Sequence, residues 1–221
     1  GKNVITLQTD QTDVDSLVSY MVGRPLSKYI TKEKVHIGDE ALKVENLTRR
    51  GVIDDINLYV RKGEIVGISG LAGSGRTETI RAIFGADPID CGKVSIDGQT
   101  IKIRSPRDAI KAGIGLLPEN RKLQGALIDL SIKHNVTLAS LSSVLTLGAF
   151  LNKKAESKIA DEFIRKLGVK TPSAKRKVRF LSGGNQQKVI LAKWLFTQPK
   201  ILIFDEPTQG IDVGAKVEVY N

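Results

Sequence analysis

The stretch Glu64-Ile-Val-Gly-Ile-Ser-Gly70 decides the fold, because this apolar segment runs directly into the glycine-rich sequence Gly70-Leu-Ala-Gly-Ser-Gly-Arg-Thr77. The following residues, Glu78-Thr-Ile-Arg-Ala-Ile-Phe84, have a helical pattern. The order predicts a strand, a glycine loop and a helix. Glycine permits a positive φ and lets backbone N–H groups approach phosphate oxygens, and a helix start carries partial positive charge. The stretch therefore predicts a phosphate-binding site.

The loop matches the P-loop pattern G-x-x-x-x-G-K-[ST] at each fixed position except one, where Arg76 replaces lysine. Lysine is a compact charge that fits between the β- and γ-phosphates, whereas arginine is a broad planar fork, so the exchange is not conservative. Thr77 keeps the hydroxyl that is expected to bind Mg²⁺. The loop alone leaves an alternative open, since an ordinary glycine-rich turn can also join a strand to a helix.

Composition narrows the class of protein. With 221 residues and 41% hydrophobic content, the chain can form one large α/β domain, or one domain and a linker. No apolar run approaches the roughly 18 residues of a membrane span, and the first residues do not resemble a signal sequence, so we expect a soluble protein. The single cysteine, Cys91, excludes an internal disulfide and favours the cytosol.

The net charge of +10 fits nucleotide, nucleic acid or anionic lipid headgroups as partners. The basic residues are scattered, however, apart from the run Lys175-Arg-Lys-Val-Arg179. This distribution favours an ordinary solvated basic surface over a specific binding patch.

Spacing and turn residues predict the order of the elements. Residues 1–40 contain a short strand over 4–7, a helix over 12–22 capped by Thr12 and ended by Gly23, and a linker. The remaining predicted elements are antiparallel strands over 41–47 and 53–60, a hairpin of strands 93–96 and 101–103 turning at Asp97-Gly98, a helix from Ser105 to Gly113, a strand ending at 115–118, helices over 131–141, 152–167 and 186–196, and a buried strand over 201–204.

Three motifs in this order resemble the ATP-binding cassette of ABC transporters: Gly70–Thr77, Leu181-Ser-Gly-Gly-Asn-Gln-Gln187 and Ile201-Leu-Ile-Phe-Asp-Glu-Pro207. The resemblance covers residues 41–221. It implies an α/β P-loop NTPase fold with a mixed central sheet, an antiparallel β subdomain and a helical subdomain over about 128–196, truncated at the C-terminus. Such a truncation should leave an exposed sheet edge.

A narrower resemblance rests on Pro118-Glu-Asn-Arg-Lys122 and Gly210-Ile-Asp-Val-Gly-Ala-Lys216. Together with the first three motifs, these segments resemble the second cassette of two-cassette ATPases that energise bacterial import of ribose, galactose or xylose. Residues 1–23 resemble the end of the first cassette of those proteins, so residues 1–40 are expected to be its tail and a linker.

The resemblance implies ATP and Mg²⁺ as cofactors and gives the site residues their roles. Thr77 and Asp205 would hold Mg²⁺, Glu206 would polarise the attacking water, and Glu119 stands where cassettes usually carry glutamine. Across a cassette dimer, Ser182, Gly183 and Gly184 would bind the partner's ATP, and Asp212 would lie in the crossing loop. The loop residues expected to bind phosphate are Gly70, Leu71, Ala72, Gly73, Ser74, Gly75, Arg76 and Thr77.

The function implied is an ATPase that powers sugar import, with weak hydrolysis at this cassette. Arg76 and Glu119 depart from the family pattern, no aromatic residue between Leu47 and Asn57 can stack on adenine, and the switch histidine is absent. The implied partners are the first cassette, transmembrane permease subunits and, indirectly, a periplasmic sugar-binding protein, which implies a peripheral location at the cytoplasmic face of the inner membrane.

Two alternatives remain open. The first is a soluble cassette ATPase that acts on ribosomes or nucleic acid, which the net charge would suit; no nucleic acid partner is expected, because the chain lacks a long basic arm. The second is a structural partner that does not turn over ATP.

Overall fold

The computed structural model describes residues 3–23, 34–146 and 149–211, together with Lys216 and Val219. Its helices are α1 (Val14–Val22), α2 (Arg76–Ile83), α3 (Pro106–Lys111), α4 (Ile132–Thr137), α5 (Lys153–Lys166) and α6 (Gly183–Phe196). Its strands are β1 (Glu40–Arg49), β2 (Ile53–Arg61), β3 (Cys91–Ile96), β4 (Gln99–Ile101), β5 (Ile114–Leu117), β6 (Leu145–Thr146), β7 (Phe150–Leu151) and β8 (Ile201–Phe204).

An antiparallel sheet with the order β2-β1-β3-β4 covers one side of the molecule. The predicted pair β1–β2 and the predicted hairpin turn are confirmed, but β4 spans Gln99–Ile101 instead of the predicted 101–103. Asp97 and Gly98 have φ angles of 49° and 76°. Two consecutive positive φ angles are typical of the tight turn that matches strand twist, which is why the Asp-Gly pair predicted this hairpin.

The parallel pair β5–β8 brings two strand ends together. Ile114 pairs with Ile201 and Leu117 with Phe204, and all four residues of β5 are buried. The backbone N–H of Asp205 donates to the carbonyl of Leu117 at 2.9 Å, which continues the pairing beyond the strands. The segments that leave β5 and β8 therefore start from the same edge, where α/β proteins commonly bind ligands.

The predicted strand over 64–70 is wrong for this structure, because no backbone hydrogen bond joins residues 65–70 to another described segment. Ile65 and Ile68 are 83% and 46% exposed. Residues 64–68 and 200–206 line an apolar cavity of about 500 Å³. The apolar pattern was recognised correctly, but a strand also needs a neighbouring edge within hydrogen-bonding distance.

Smaller differences concern the N-terminal residues and α4. Residues 4–7 form no strand, and the side chain of Asp13, not Thr12, caps α1 by accepting from the N–H of Ser16 at 2.7 Å. The helix ends at Gly23 as predicted, with a φ of 79°. The predicted helix over 131–141 is interrupted, because α4 ends at Thr137 and continues as a 3₁₀ segment with non-helical dihedrals at Ser140.

Helix α6 connects two hydrophobic clusters. Ile190 and Trp194 pack with the residues of the sheets and α2, and the ring of Trp194 meets that of Phe84 edge-on with centroids 5.5 Å apart. Val189 and Ala192 belong to a second cluster with residues of α4 and the segment before α6. The buried faces of one helix thus fix the helical region against the sheets, as the apolar spacing over 186–196 predicts.

Candidate functional site

The glycine loop adopts a conformation that other residues would strain. Gly73 and Gly75 have φ angles of 78° and 87°, in the left-handed region that favours glycine. A Cβ atom at Gly70 would lie 2.5 Å from Oγ of Ser74, so the loop also depends on close approach there. Residues 70–74 are exposed, and α2 begins immediately after them at Arg76. An exposed loop before a helix start can bind phosphate through backbone N–H groups.

Thr77 and Asp205 lie together, as the sequence predicts. Thr77 Oγ1 is 3.3 Å from Asp205 Oδ1, although the two residues are 128 positions apart in the chain. Asp205 is only 8% exposed. Burial raises the pKa of Asp205; the carboxylates of Glu119 and Glu206 act in the same direction, while the Thr77 hydroxyl and Arg76 oppose them. A buried carboxylate next to other acids favours a cation as neighbour.

These two side chains fit Mg²⁺. Both offer hard oxygen ligands, and neighbouring ligands of an octahedral Mg²⁺ lie roughly 2.9 Å apart for bond lengths of about 2.05 Å. The observed separation of 3.3 Å is close to that value. No group of three or more His, Cys, Asp or Glu side chains within the described ranges could hold a metal alone. Phosphate and water oxygens would complete the coordination of a Mg²⁺ held by Thr77 and Asp205.

The other acidic side chains at this edge form a hydrogen-bonded group. Arg76 Nη2 is 3.3 Å from Glu206 Oε1, and Gln209 Nε2 donates to Glu119 Oε1 at 2.9 Å and to Glu206 Oε2 at 3.2 Å. Glu206 has a φ of 41°, which is uncommon for a non-glycine residue. The structure thus brings Glu119 and Glu206 next to the glycine loop.

The residues at the start of α6 form no hydrogen bond with this group. Ser182 is exposed, and its Oγ accepts a hydrogen bond from the side chain of Asn185 at 2.8 Å instead of capping the helix. No hydrogen bond or ion pair within the described part of the chain joins Ser182, Gly183 or Gly184 to residues 70–77. Asp212 lies outside the described residues.

The sequence profile of the family described as ABC transporter matches residues 53–209, which include the glycine loop, the start of α6 and the end of β8. The chain belongs to the ABC transporter family. The resemblance inferred from the motifs is therefore confirmed, and so is the α/β class of the fold. Members of this family bind ATP, and Mg²⁺ is the usual metal.

The cassette is similar along its whole length to proteins named for sugar import. It is 47% identical over 220 residues to the ribose import ATP-binding protein RbsA of Bacillus subtilis, covering 100% of this chain and 44% of that protein. It is 45% identical to a putative ribose/galactose/methyl galactoside import ATP-binding protein of Burkholderia lata, covering 100% of this chain and 43% of that protein. The chain thus spans less than half the length of these relatives.

Solved ABC cassettes share the fold. One structure of an ATP-binding cassette of an ABC transporter superposes with a TM-score of 0.67 at 23% identity, covering 81% of this chain and 74% of that chain. The cassette cbiO1 of Clostridium perfringens, part of the transporter complex cbiONQ, superposes with a TM-score of 0.64 at 25% identity, covering 82% and 74%. In the part of this cassette that the structure describes, no helix has the length and apolar character of a membrane span.

Arg121 is a residue of this site to which the sequence analysis gave no role. Its guanidinium donates to the carbonyls of Gln209 at 2.7 Å and Gly210 at 2.9 Å. A Cβ atom at Gly183 would lie 3.0 Å from Arg121 Nη2. Arg121 therefore connects the segment after β5 with the segment after β8 and with the start of α6. The motif 118–122 contained the residue, but only the fold brings its three neighbours together.

Proposed function

We propose that this cassette binds Mg²⁺-ATP between its glycine loop and the ends of β5 and β8, and that it hydrolyses ATP slowly. The backbone of residues 70–75 and the start of α2 would hold the phosphates, and Thr77 and Asp205 would hold the metal. Bound Mg²⁺ would neutralise phosphate charge. The 3.3 Å contact between Thr77 and Asp205 supports this arrangement, because the family motif requires these two side chains at one place.

The ion pair between Arg76 and Glu206 is the observation that supports slow hydrolysis. Glu206 is the residue proposed to orient the attacking water, and Arg76 stands where the P-loop pattern has the phosphate-binding lysine. In this structure each of the two charges is bound to the other, so nucleotide binding must separate them. The amide of Gln209 also donates to Glu206, and it donates to Glu119 as well.

Ser182, Gly183 and Gly184 are proposed to act on a second nucleotide, held by another cassette. Ser182 is exposed, and none of the three residues is hydrogen-bonded to residues 70–77, which supports a role in trans. The same proposal gives Asp212 a place in the loop between cassettes. It divides the chain into residues 1–40, as the tail of a preceding cassette with a linker, and residues 41–221, as this cassette with its helical subdomain over about 128–196.

The names of the relatives support sugar import over action on ribosomes or nucleic acid. We therefore propose that the complete protein is the ATPase of an importer for a simple sugar of the ribose, galactose or xylose class. Its proposed partners are a first cassette in the same protein, transmembrane permease subunits and, through them, a periplasmic binding protein. The cassette would act at the cytoplasmic face of the inner membrane.

Titration of ATP, with and without Mg²⁺, followed by measurement of phosphate release tests the proposal. We expect Mg²⁺ to tighten binding and turnover to be slow. Arg76→Lys should bind ATP more tightly, since one well-placed charged hydrogen bond is worth about 1.5–3 kcal/mol, or roughly ten- to a hundredfold. The matched control Arg107→Lys changes an exposed arginine of α3 and should leave the affinity unchanged. Fast turnover by the unaltered chain would contradict the roles given to Arg76 and Glu119.

A further inference from the structure

A basic cavity lies in the helical region, away from the nucleotide site. Its volume is about 900 Å³, which is within the range of small-molecule pockets. The walls come from α4, α5 and the segment before α6, and Asp161 is their only acidic residue. The cationic residues that line the cavity are Lys133, Lys153, Lys154, Lys158, Arg165 and Lys175.

One of these six charges is already compensated. Lys133 Nζ is 2.5 Å from Glu156 Oε2, and the carboxylate of Glu156 is buried with a side-chain exposure of 1%. The five other cationic side chains form no ion pair with any described residue. Like charges that converge on one concave surface repel each other, and a low-dielectric wall strengthens this repulsion. A multivalent anion in the cavity would remove it.

Helix α5 places two of the lysines where the backbone opposes them. Lys153 and Lys154 are the first two residues of α5, whose start carries partial positive charge. The side chain of Asn152 caps this end by accepting from the N–H of Ala155 at 3.0 Å, and the lysine ammonium groups have no acceptor with which to cap it. Acidic residues are the usual choice at such positions. The start of α5 therefore adds its partial positive charge to that of the cationic side chains in the same cavity.

The surplus of positive charge in the chain is concentrated in this region. Residues 128–197 contain 13 Lys and Arg against 4 Asp and Glu, whereas the whole chain has 34 against 24. The basic run over 175–179 therefore belongs to a larger positive region and is not an isolated solvated segment. Its lysine at position 175 lines the cavity together with residues of α5. A concave site of this size suits a compact anion better than a long nucleic acid duplex.

We propose that this cavity binds a multiply charged phosphate group, carried either by a soluble polyphosphorylated compound or by an anionic phospholipid headgroup. The site is separate from the glycine loop and does not depend on ATP binding there. Lys153, Lys154, Lys158 and Lys175 would supply the contacts, because their ammonium groups have no other ionic partner among the described residues. Lys133 would remain with Glu156.

Calorimetric titration of the full chain with inorganic tripolyphosphate, in the presence of saturating ADP, tests the proposal. The variant Lys154→Gln/Lys158→Gln removes two unpaired charges of the cavity, and Lys102→Gln/Lys111→Gln removes the same charge from exposed positions elsewhere. We expect Lys154→Gln/Lys158→Gln to weaken tripolyphosphate binding roughly tenfold, since each exposed charge contact contributes about two- to fivefold. Lys102→Gln/Lys111→Gln should leave the affinity unchanged. Circular dichroism should show equal helix content in both variants.

Binding to vesicles distinguishes a phospholipid headgroup from a soluble polyphosphorylated compound as the ligand. Cosedimentation is measured with 30% phosphatidylglycerol in phosphatidylcholine, and with phosphatidylcholine alone as control. Binding that tripolyphosphate displaces and that Lys154→Gln/Lys158→Gln removes supports a lipid headgroup, whereas tripolyphosphate binding without vesicle binding supports a soluble ligand. The proposal would be overturned if both double variants weakened binding equally, or if neither tripolyphosphate nor the anionic vesicles bound. A preference of these lysines for duplex DNA would also overturn it.

Discussion

Helices α2 and α5 both begin with basic residues, but their surroundings differ. The first residue of α2, Arg76, lies 3.3 Å from Glu206. The first residues of α5, Lys153 and Lys154, have no ion pair with a described residue. A helix start adds partial positive charge in both places. At α2 the chain that leaves β8 supplies an acid that pairs with the basic residue, whereas the acid in the first turn of α5, Glu156, pairs with Lys133 of α4.

The difference shows that charge balance at a helix start depends on topology more than on the helix itself. The parallel pairing of β5 with β8 delivers acidic side chains to the start of α2. Helix α5 packs against α4 and α6, and the one buried acid among them, Glu156, is already paired with Lys133. At the first site the basic residue Arg76 is thus paired before any ligand binds, whereas Lys153 and Lys154 at the second site are not paired with any described residue.

The largest effect is expected when the ion pair between Lys133 and Glu156 is broken. Lys133→Met should lower the free energy of unfolding by about 3–5 kcal/mol, because it leaves a buried carboxylate without its partner. Urea unfolding measures the loss. The matched change Lys158→Met affects an exposed lysine of the same cavity and should shift stability by less than about 0.5 kcal/mol. Equal losses in the two variants would mean that the pair is not the compensated charge described here.

Lys193 is a buried cation that forms no ion pair with a described acidic residue, and the pH dependence of stability tests this second kind of unpaired charge. Burial lowers the pKa of Lys193 to about 8, and its Nζ donates to the carbonyl of Gly125 at 2.6 Å. Since the folded pKa lies below the unfolded value of 10.5, the charged form opposes folding below pH 8. Stability should therefore rise by up to about 3 kcal/mol between pH 8 and 10.5, relative to Lys193→Met. A constant difference between the two proteins across this range, in thermal or urea unfolding, would refute the assignment.

A change at Asp205 tests the site at the start of α2. Asp205→Asn should weaken Mg²⁺-dependent ATP binding roughly ten- to a hundredfold, since a charged contact of about 1.5–3 kcal/mol is lost. Without ligand, the variant should be more stable near neutral pH. The raised folded pKa means that wild-type Asp205 stabilises the fold at low pH and that this contribution is lost as pH rises through that pKa. Titrations with and without Mg²⁺, and melting curves from pH 4 to 8, measure both effects.

The smallest effect is expected for a substitution in the turn between β1 and β2. A Cβ at Gly75 would lie 3.1 Å from Ile53 Cγ2, so this turn adjoins the glycine loop, and its neighbour Val52 is 42% exposed. Val52→Tyr should tighten ATP binding by about 0.5–1.5 kcal/mol by offering a ring to adenine. Val4→Tyr adds the same ring at an exposed N-terminal position and serves as control. No gain over that control would place adenine away from this turn.

Much of the local structure could be predicted from neighbouring residues alone. The hairpin at Asp97-Gly98 follows from two residues that tolerate a positive φ, and α3 follows from Ser105 and Pro106 at its start. The strand over 64–70 could not be predicted reliably, because strand pairing depends on a neighbour that lies elsewhere in the chain. Arg121 was missed for a related reason, since its partners are 88 and 89 residues away.

The sequence by itself determined the motif order, the family, the glycine positions of the loop and the identity of the acids near it. Only the tertiary structure decided which charges meet. The start of α2 meets the segment after β8, which unites Thr77 with Asp205 and Arg76 with Glu206. The packing of α4, α5 and the segment before α6 gathers the unpaired lysines around one cavity. Backbone conformation depends on adjacent residues, whereas electrostatic interactions depend on distances that the chain acquires only on folding.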